Sequence, residues 1–372
     1  MFMKKIPFVD LHRQHLKIKE RIKGAAIRVI DSELYIGGVE VKSFEEKMAR
    51  WLGVEEICSV ACATSGLFAL LKSFGIGTGD EVITTVHTAI ATAEAISLTG
   101  AKVVFCDIGK ASPNIDPNLI EEKITPHTRA IIPVHLYGMC ADMDRIMEIA
   151  HKHSLLVIED CAQAQGAVYK GKKIGTIGDG AVFSFFPSKT LGGFGDGGAI
   201  RAVRKDILKR ARMFSNHGRE SKYDHEFEGM NSRLDAIQAA MLSVCLDELD
   251  EWNAARRKAA TLYYEQLKDI VQIKMLHPLP DTEAVFHIFQ ICAPDRGNLQ
   301  IALKSEGIET LIHYPLSLNL LKAYQHLNLG RGSFPQAETL CEHTLSLPLF
   351  PGITEEEIEH VAIAITNYFK KS

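Results

Sequence analysis

The stretch Leu155 to Ala199, LLVIEDCAQAQGAVYKGKKIGTIGDGAVFSFFPSKTLGGFGDGGA, leaves this chain few folds. It opens on a continuous apolar run, Leu155 to Ile158, too short for a helix and typed like a strand buried on both faces. The run ends in Glu159 and Asp160, and in open α/β sheets that carboxyl end is where ligands sit. A second apolar run, Ala181 to Phe186, delivers Ser184 and then Lys189, which stands between Pro187 and the segment LGGFGDGG. Two readings of Lys189 follow. Beside a turn that lets a ligand approach the backbone closely, it is a nucleophile that gives up its proton easily; otherwise it is a surface lysine in a glycine-rich turn.

The residues before this stretch repeat one rhythm. Strand-like runs ICSVA, EVITT, KVVFCD and AIIPVHL alternate with helical patterns, which predicts a largely parallel sheet covered by helices on both faces. In VKSFEEKMARWLG, Phe44, Met48 and Leu52 recur at helical spacing, with Ser43 expected as the cap. After ICSVA, Thr64 and Ser65 lead into a helix with Leu67, Leu70, Leu71 and Phe74 on one stripe. Such a strand, hydroxyl pair and helix start make either an anion site or an ordinary N-cap. His87, in VHTAIATAEAI, is either a ring near a ligand or a structural histidine at a helix start. Beyond Ala199, the loop NHGRESKYDHEFEGMN brings Arg219 and Lys222 together with two histidines, and is either a solvated loop or a cationic patch for a diphosphate.

Taken together, IPFVDL, YIGGVEVKSFEEKMARWLGV, GIGTGDEVITT, IIPVHLYG, VIEDCAQAQGA, FSFFPSKTLGGFGDGG, GMNSRLDAIQAAML, HYPLSLNLLKAY and LSLPLFPGIT resemble the DegT/StrS group of nucleotide-sugar aminotransferases. These are pyridoxal-phosphate enzymes of the aspartate aminotransferase superfamily, and the resemblance covers nearly the whole chain. It implies fold type I: a large cofactor domain with an N-terminal arm over residues 1–245 and a smaller C-terminal α/β domain over residues 246–372. It further implies that Lys189 holds pyridoxal 5'-phosphate covalently and that Asp160 pairs with the pyridine nitrogen. Gln163 would contact the ring or its phenolate oxygen, and Thr64, Ser65 and Ser184 would take the phosphate. Asn231 would reach the phosphate of a neighbouring subunit, so the resemblance also implies a homodimer with shared active sites.

The chain departs from the family pattern in several places. Ala89 stands where an aromatic ring usually stacks on the pyridine, which makes His87 the candidate for that stacking. Ser317, Asn319 and Leu321 replace a proline, a histidine and a glutamine, within the segment where His313 and Tyr314 would meet substrate alongside Arg219. The implied reaction is a transamination from an amino acid, with glutamate favoured, to a nucleotide-linked keto-deoxysugar. The HTAIATAEAI pattern favours a dTDP-3-keto-6-deoxyhexose, giving the 3-amino sugar. A 4-keto sugar is the nearest alternative. A dehydratase and a non-catalytic regulator or scaffold are more distant; Lys189 speaks against the first, and the lack of a basic recognition helix against the second.

Composition adds exclusions. A net charge of −4 over 372 residues, with 46% hydrophobic and 24% charged residues, gives no basic excess for nucleic acid or an anionic membrane. The start, MFMKKIPFVDLHRQH, has no apolar core of leader length and no later run is long enough to span a bilayer, so a cytoplasmic protein is expected. Eight scattered cysteines without a C-x-x-C pair indicate no metal site and reduced, structural thiols.

Overall fold

The structure, a computed structural model, describes residues 5–371; Met1 to Lys4, part of the stretch searched for a leader, and Ser372 lie outside the described residues. Thirteen strands are described: β1 Cys58–Val60, β2 Glu81–Thr85, β3 Lys102–Cys106, β4 Thr128–Ile132, β5 Leu156–Asp160, β6 Val168–Tyr169, β7 Lys172–Lys173, β8 Gly180–Ser184, β9 Gly198–Ala202, β10 Lys274–Met275, β11 Thr282–Glu283, β12 Phe289–Cys292 and β13 Thr344–Leu347. Seven make the central sheet in the order β1-β9-β8-β5-β4-β2-β3, and β9 alone runs against its neighbours. This is the mostly parallel, helix-covered sheet expected from the alternation of strands and helices along the chain. A second sheet, β10-β12-β13, is antiparallel and belongs to the C-terminal part of the chain.

Continuous burial follows from helices on both faces. Every residue of β2 and β8 is buried, as expected for apolar runs without alternation. The pleat still sorts side chains into two cores. Val82, Ile132, Ile158, Val182 and Ile200 pack on one face, with Leu67 and Leu70 of the helix Ala63–Ser73 and Ile96 of the helix Ile90–Leu98. Ile83, Ile131, Val157, Phe183 and Ala199 pack on the other, with Phe44 and Met48 of the helix Gly38–Leu52 and Leu242 of the helix Ala236–Leu246. Ser43 is not a cap: its helix begins five residues earlier, at Gly38, after Gly37 turns the chain with φ of 67°. That left-handed conformation is one that glycine alone adopts freely.

At the end of β5, the same alternation sends Glu159 to one face and Asp160 to the other. Glu159 is fully buried. Its Oε1 accepts from the N–H groups of Ile177 and Gly178, both at 2.8 Å, and its Oε2 accepts from Gly175 N–H at 2.9 Å and His135 Nε2 at 3.2 Å. His135 Nδ1 accepts from Ala141 N–H, so the ring proton lies on Nε2 and points at Glu159. Burial pushes this carboxyl up, but His135 and the backbone donors outweigh it and hold the group below its ordinary value of 4.5.

Replacing Glu159 with leucine strands four donors in the interior, and should lower unfolding free energy by roughly 3 kcal/mol or more. Urea denaturation of the variant beside the wild type measures this. The folded-state value is depressed, so the stability Glu159 contributes is present above pH 4.5 and lost as pH falls through the folded value. The gap between the two proteins should therefore narrow in acid.

Candidate active site

The strands β5 and β8 end at a cavity of about 320 Å³, walled by Asp160, Gln163, Ser184 and Lys189, by Cys62, Ala63 and Thr64 at a helix start, and by Thr88, Ala89, Thr92 and Asp196. It lies at the carboxyl edge of a parallel sheet, where strand ends and helix N-termini converge.

Asp160 enters from the floor with its geometry already set. Oδ2 accepts from the Thr92 hydroxyl at 2.7 Å and Oδ1 from Ala162 N–H at 3.0 Å. The local turn expected of a carboxylate after a strand is therefore made, and a second oxygen is still directed by a helix from another part of the chain.

Lys189 reaches the cavity from a turn that folds straight back into the sheet. Its N–H donates to Phe186 C=O at 2.8 Å, Gly193 N–H to Phe185 C=O at 2.7 Å, and Phe185 N–H to Gly197 C=O at 2.8 Å. The turn is tight enough that a Cβ on Gly192 would stand 2.1 Å from the Pro187 carbonyl oxygen. The Lys189 amine has no hydrogen bond or ion pair to a described residue. Burial lowers it from 10.5 to about 8, against the opposing pull of Asp160. It is thus half-buried and gives up its proton more easily than a lysine in a solvated turn.

The opposite wall is the start of the helix Ala63–Ser73. Its cap is Cys62, whose sulfur accepts from Ser65 N–H at 3.4 Å. Ala63 and Thr64 occupy the first helical positions, whose N–H groups have no acceptor within the helix, and both line the cavity. Ser65 does not line it. Its hydroxyl donates to Cys62 C=O at 3.0 Å and shares a 2.7 Å bond with Ser232. Gly198 on β9 lies directly behind, where a Cβ would come 2.7 Å from Ala63 N.

Gln163 is clamped from two sides: Oε1 accepts from Tyr137 N–H at 2.7 Å, and Nε2 donates to the Tyr314 hydroxyl at 3.2 Å. Tyr314 and His313 come from the C-terminal part of the chain. Burial, the Gln163 bond and Asp160 set the Tyr314 phenol, which is pushed up to about 12. Burial, with Lys189 close by, lowers His313 to about 4, and its Nδ1 pairs with Ser346 Oγ at 2.9 Å. Ser317 and Asn319, two of the departures from the family pattern, are buried away from the cavity.

His87 is a correction. It does not line the cavity and is fully buried, with Nε2 on the Tyr137 hydroxyl at 2.7 Å and Nδ1 on Cys341 Sγ at 3.3 Å. Its neighbours Thr88 and Ala89 face the cavity, so His87 points the other way. Arg219 and Asn231 also stand off the cavity of their own chain; their loop is held by bridges of Arg219 with His225 and of Asn216 with Asn231.

Four residues escape a reading along the chain: Thr92, which aims Asp160; Cys62, the helix cap; Asp196, an acid within the glycine turn; and His287. The last is buried, has no partner for Nδ1, and is held well down by burial and by the cations Lys189 and Arg256. His135, Glu159 and Cys161 lie close enough together for a metal, but both His135 nitrogens and both Glu159 oxygens are already engaged.

These residues fit an aromatic aldehyde bearing a phosphate. An amine without a partner stands at one side, a directed carboxylate lies on the floor, and free N–H groups and two hydroxyls face the other side. Comparison with known proteins agrees. The model of the DegT/DnrJ/EryC1/StrS aminotransferase family matches residues 16–366. The chain is 42% identical, over 98% of its length and 99% of the relative's, to a dTDP-3-amino-3,6-dideoxy-alpha-D-galactopyranose transaminase of Aneurinibacillus thermoaerophilus. It is 41% identical, over 96% of its length and 97% of the relative's, to a protein named erythromycin biosynthesis sensory transduction protein EryC1, of Saccharopolyspora erythraea. Among solved structures, S. venezuelae DesV in complex with a ketimine intermediate superposes with a TM-score of 0.96 at 40% identity, over 98% of each chain.

The close approach behind the helix start gives a direct test. Gly198→Ala places a methyl group against backbone that cannot swing aside, and should cost about 1–3 kcal/mol of stability, read by urea unfolding.

Proposed function

We propose, because this chain belongs to the DegT/DnrJ/EryC1/StrS aminotransferase family, that it transfers an amino group from glutamate to carbon 3 of a dTDP-linked 3-keto-6-deoxyhexose. The protein is a pyridoxal-phosphate-dependent aminotransferase. The observation that carries the reading furthest is that Lys189, whose proton burial makes easier to lose, shares one cavity with Asp160. For the substrate, the 42% identical relative is named for a 3-amino-6-deoxy sugar on dTDP, and a 4-keto sugar remains the alternative. One relative is named as a sensory protein, but a lysine without a partner beside an aimed carboxylate favours an enzyme here.

Pyridoxal phosphate, when bound, supplies an electron sink for the carbon that loses its proton. The chain's part is to hold, orient and move protons. Lys189 Nζ would be the amine that holds the cofactor and, once freed, the group that carries the proton to and from the substrate. Asp160, held by Thr92 and Ala162, keeps a proton on the pyridine nitrogen. Thr64, Ser184 and the N–H groups of Ala63 and Thr64 bind the phosphate. Gln163, fixed by Tyr137, orients the ring. Residues 1–245 would form the cofactor domain, with residues 246–372 supplying His313 and Tyr314 above it to the sugar.

The remaining contacts require a second copy. Phe186 beside the cavity is exposed, and so are Phe194, Ile27, Ile30, Leu34, Tyr35, Ile36 and Val39. A chain with so many large apolar groups on its surface has a face to cover. A two-fold dimer that buries it would let Asn231 reach the phosphate and Arg219 the sugar diphosphate of the partner's site. Such an enzyme works in the cytoplasm, where nucleotide sugars are made; among the described residues no helix is long and apolar enough to cross a membrane.

The first experiment is an absorbance spectrum of the protein with pyridoxal phosphate, before and after glutamate. A band that shifts on adding glutamate is expected, and the shift should vanish in Lys189→Ala; a colourless protein refutes the reading. Cofactor capture by the cofactor-free protein should speed up as pH rises through about 8, since only neutral Lys189 attacks. Asp160→Asn removes the group that raises Lys189, so the midpoint of that rate profile should move to lower pH. Mixing inactive Lys189→Ala with inactive Asn231→Asp tests the shared site. Random re-pairing makes half the dimers mixed, each with one intact site of two, so about a quarter of wild-type activity should return. No recovery after subunit exchange would count against Asn231 acting across the interface.

A further inference from the structure

His87 has no place at the cofactor, yet both its ring nitrogens are engaged inside the protein. The proton positions follow from what each partner can do. The Tyr137 hydroxyl makes a short hydrogen bond to His313 C=O, and a carbonyl only accepts, so the phenolic proton points there. The oxygen of Tyr137 must then accept from His87, which puts the imidazole proton on Nε2 at 2.7 Å. Burial lowers His87 to about 3, so the ring stays neutral and Nδ1 is a bare acceptor. Cys341, its thiol pushed up to about 12 by burial, keeps its proton and donates to Nδ1 at 3.3 Å.

The result is one directed chain: Cys341 S–H to His87, His87 N–H to Tyr137, Tyr137 O–H to the carbonyl that precedes Tyr314. It links the helix Pro335–His343, the turn after β2, the turn after β4 and the substrate-side segment. Tyr137 also acts through its backbone. Its N–H sets the amide of Gln163, whose other end holds the Tyr314 hydroxyl. Both bonds that fix Tyr314 relative to the sheet therefore pass through Tyr137, and His87 supplies the donor that turns the Tyr137 hydroxyl toward His313. The edge-on packing of the His87 ring against Tyr137 and Tyr314, each with centroids 6.1 Å away, keeps the three in register.

We propose that His87 is a positioning residue for the sugar substrate, acting through Tyr137 to hold the His313–Tyr314 segment over the cavity. The proposal rests on the aminotransferase reading. It separates two duties that share one site, since the amino-donor half-reaction depends on Lys189 and Asp160, whereas acceptance of the keto sugar depends on where Tyr314 stands.

The test compares His87→Phe, Tyr137→Phe, the double variant and His87→Gln in steady-state kinetics, with the glutamate half-reaction followed separately by absorbance. His87→Phe and Tyr137→Phe should each raise the KM for the keto-sugar nucleotide roughly tenfold, while the spectral response to glutamate stays within about twofold. The double variant should be no worse than the poorer single one, because both break the same chain. Glutamine can still donate to Tyr137, so His87→Gln should recover most of the loss. Multiplicative effects in the double variant, or a change in cofactor absorbance or affinity matching the change in KM, would overturn the proposal, as would an unchanged KM in His87→Phe. If His87→Phe does not fold, Tyr137→Phe, which removes a single oxygen, carries the same KM test. A wild-type protein that gives no response to glutamate overturns the aminotransferase reading itself, which is a separate failure.

Discussion

Two adjacent carboxylates close β5, and the pleat of the strand forces them to opposite faces of the sheet. Glu159 turns away from the cavity into a shell of four donors, which ties down the 175–178 turn and His135. Asp160 turns toward the cavity, where Thr92 and Ala162 aim it. The first would be expensive to bury without those donors, and the second would be of little use if the strand end could move. Because one backbone segment carries both, the rigidity that satisfies Glu159 is passed on to Asp160 at no added cost. The turn that Glu159 holds also leads straight into β8, which delivers Ser184 and Lys189.

The amine of Lys189 is a compromise between two terms of opposite sign. Burial strips water from it and favours the neutral form; Asp160 favours the charged one. Burial wins, because the acid lies across the cavity and is partly engaged by its own two donors, whereas desolvation acts on the amine at once. A shorter separation would produce an ion pair, and the lysine would then stay protonated and unreactive. With Gly192 packed on the Pro187 carbonyl, the loop enters and leaves the sheet within a few residues, which fixes where Lys189 stands in the cavity.

The parts legible along the chain are those whose signal is local. Buried strands are continuous apolar runs, the site lies where those runs end, and a lysine framed by proline and glycine marks a constrained turn. The misread parts depend on contacts far apart in sequence. His87 was a candidate for the cofactor only because its partners, Tyr137 and Cys341, lie 50 and 254 positions away and leave no trace in the pattern HTAIAT. The bond of Ser65 to Ser232, 167 positions on, is likewise announced by nothing nearby in sequence. Thr92 gave no signal at all, since a threonine in a helix resembles any other until the strand across from it is known. Arg219 and Asn231 are a different case: their proposed contacts lie on a second copy and so are absent from any reading of one chain, and the exposed apolar groups such as Tyr35 and Phe194 are the feature that asks for that copy.

Apart from Tyr137, whose N–H also sets Gln163, the supports of the 313–314 segment are separate from those of the cofactor side, which bears on how such an enzyme changes specificity. The 313–314 segment is held by Tyr137 from below, by Ser346 of β13 through His313 Nδ1, and by Phe8, whose ring stacks on His313 with centroids 5.8 Å apart. Phe8 belongs to an N-terminal arm that is pinned by Ile6 to Gly307 and by Phe8 N–H to Glu309, so three distant parts of the chain fix one short segment. Leu318 N–H, bonded to Val86 C=O, ties the next turn to the end of β2. None of these supports touches Lys189, Asp160 or the helix start at Ala63. A substitution in the arm, in β13 or at His87 can therefore shift the two side chains proposed to face the sugar and leave proton transfer intact. Such a division would let a chain of this architecture keep its chemistry while exchanging the sugar, because the cost of moving the segment is a few hydrogen bonds rather than the buried carboxylate on which the cofactor side depends.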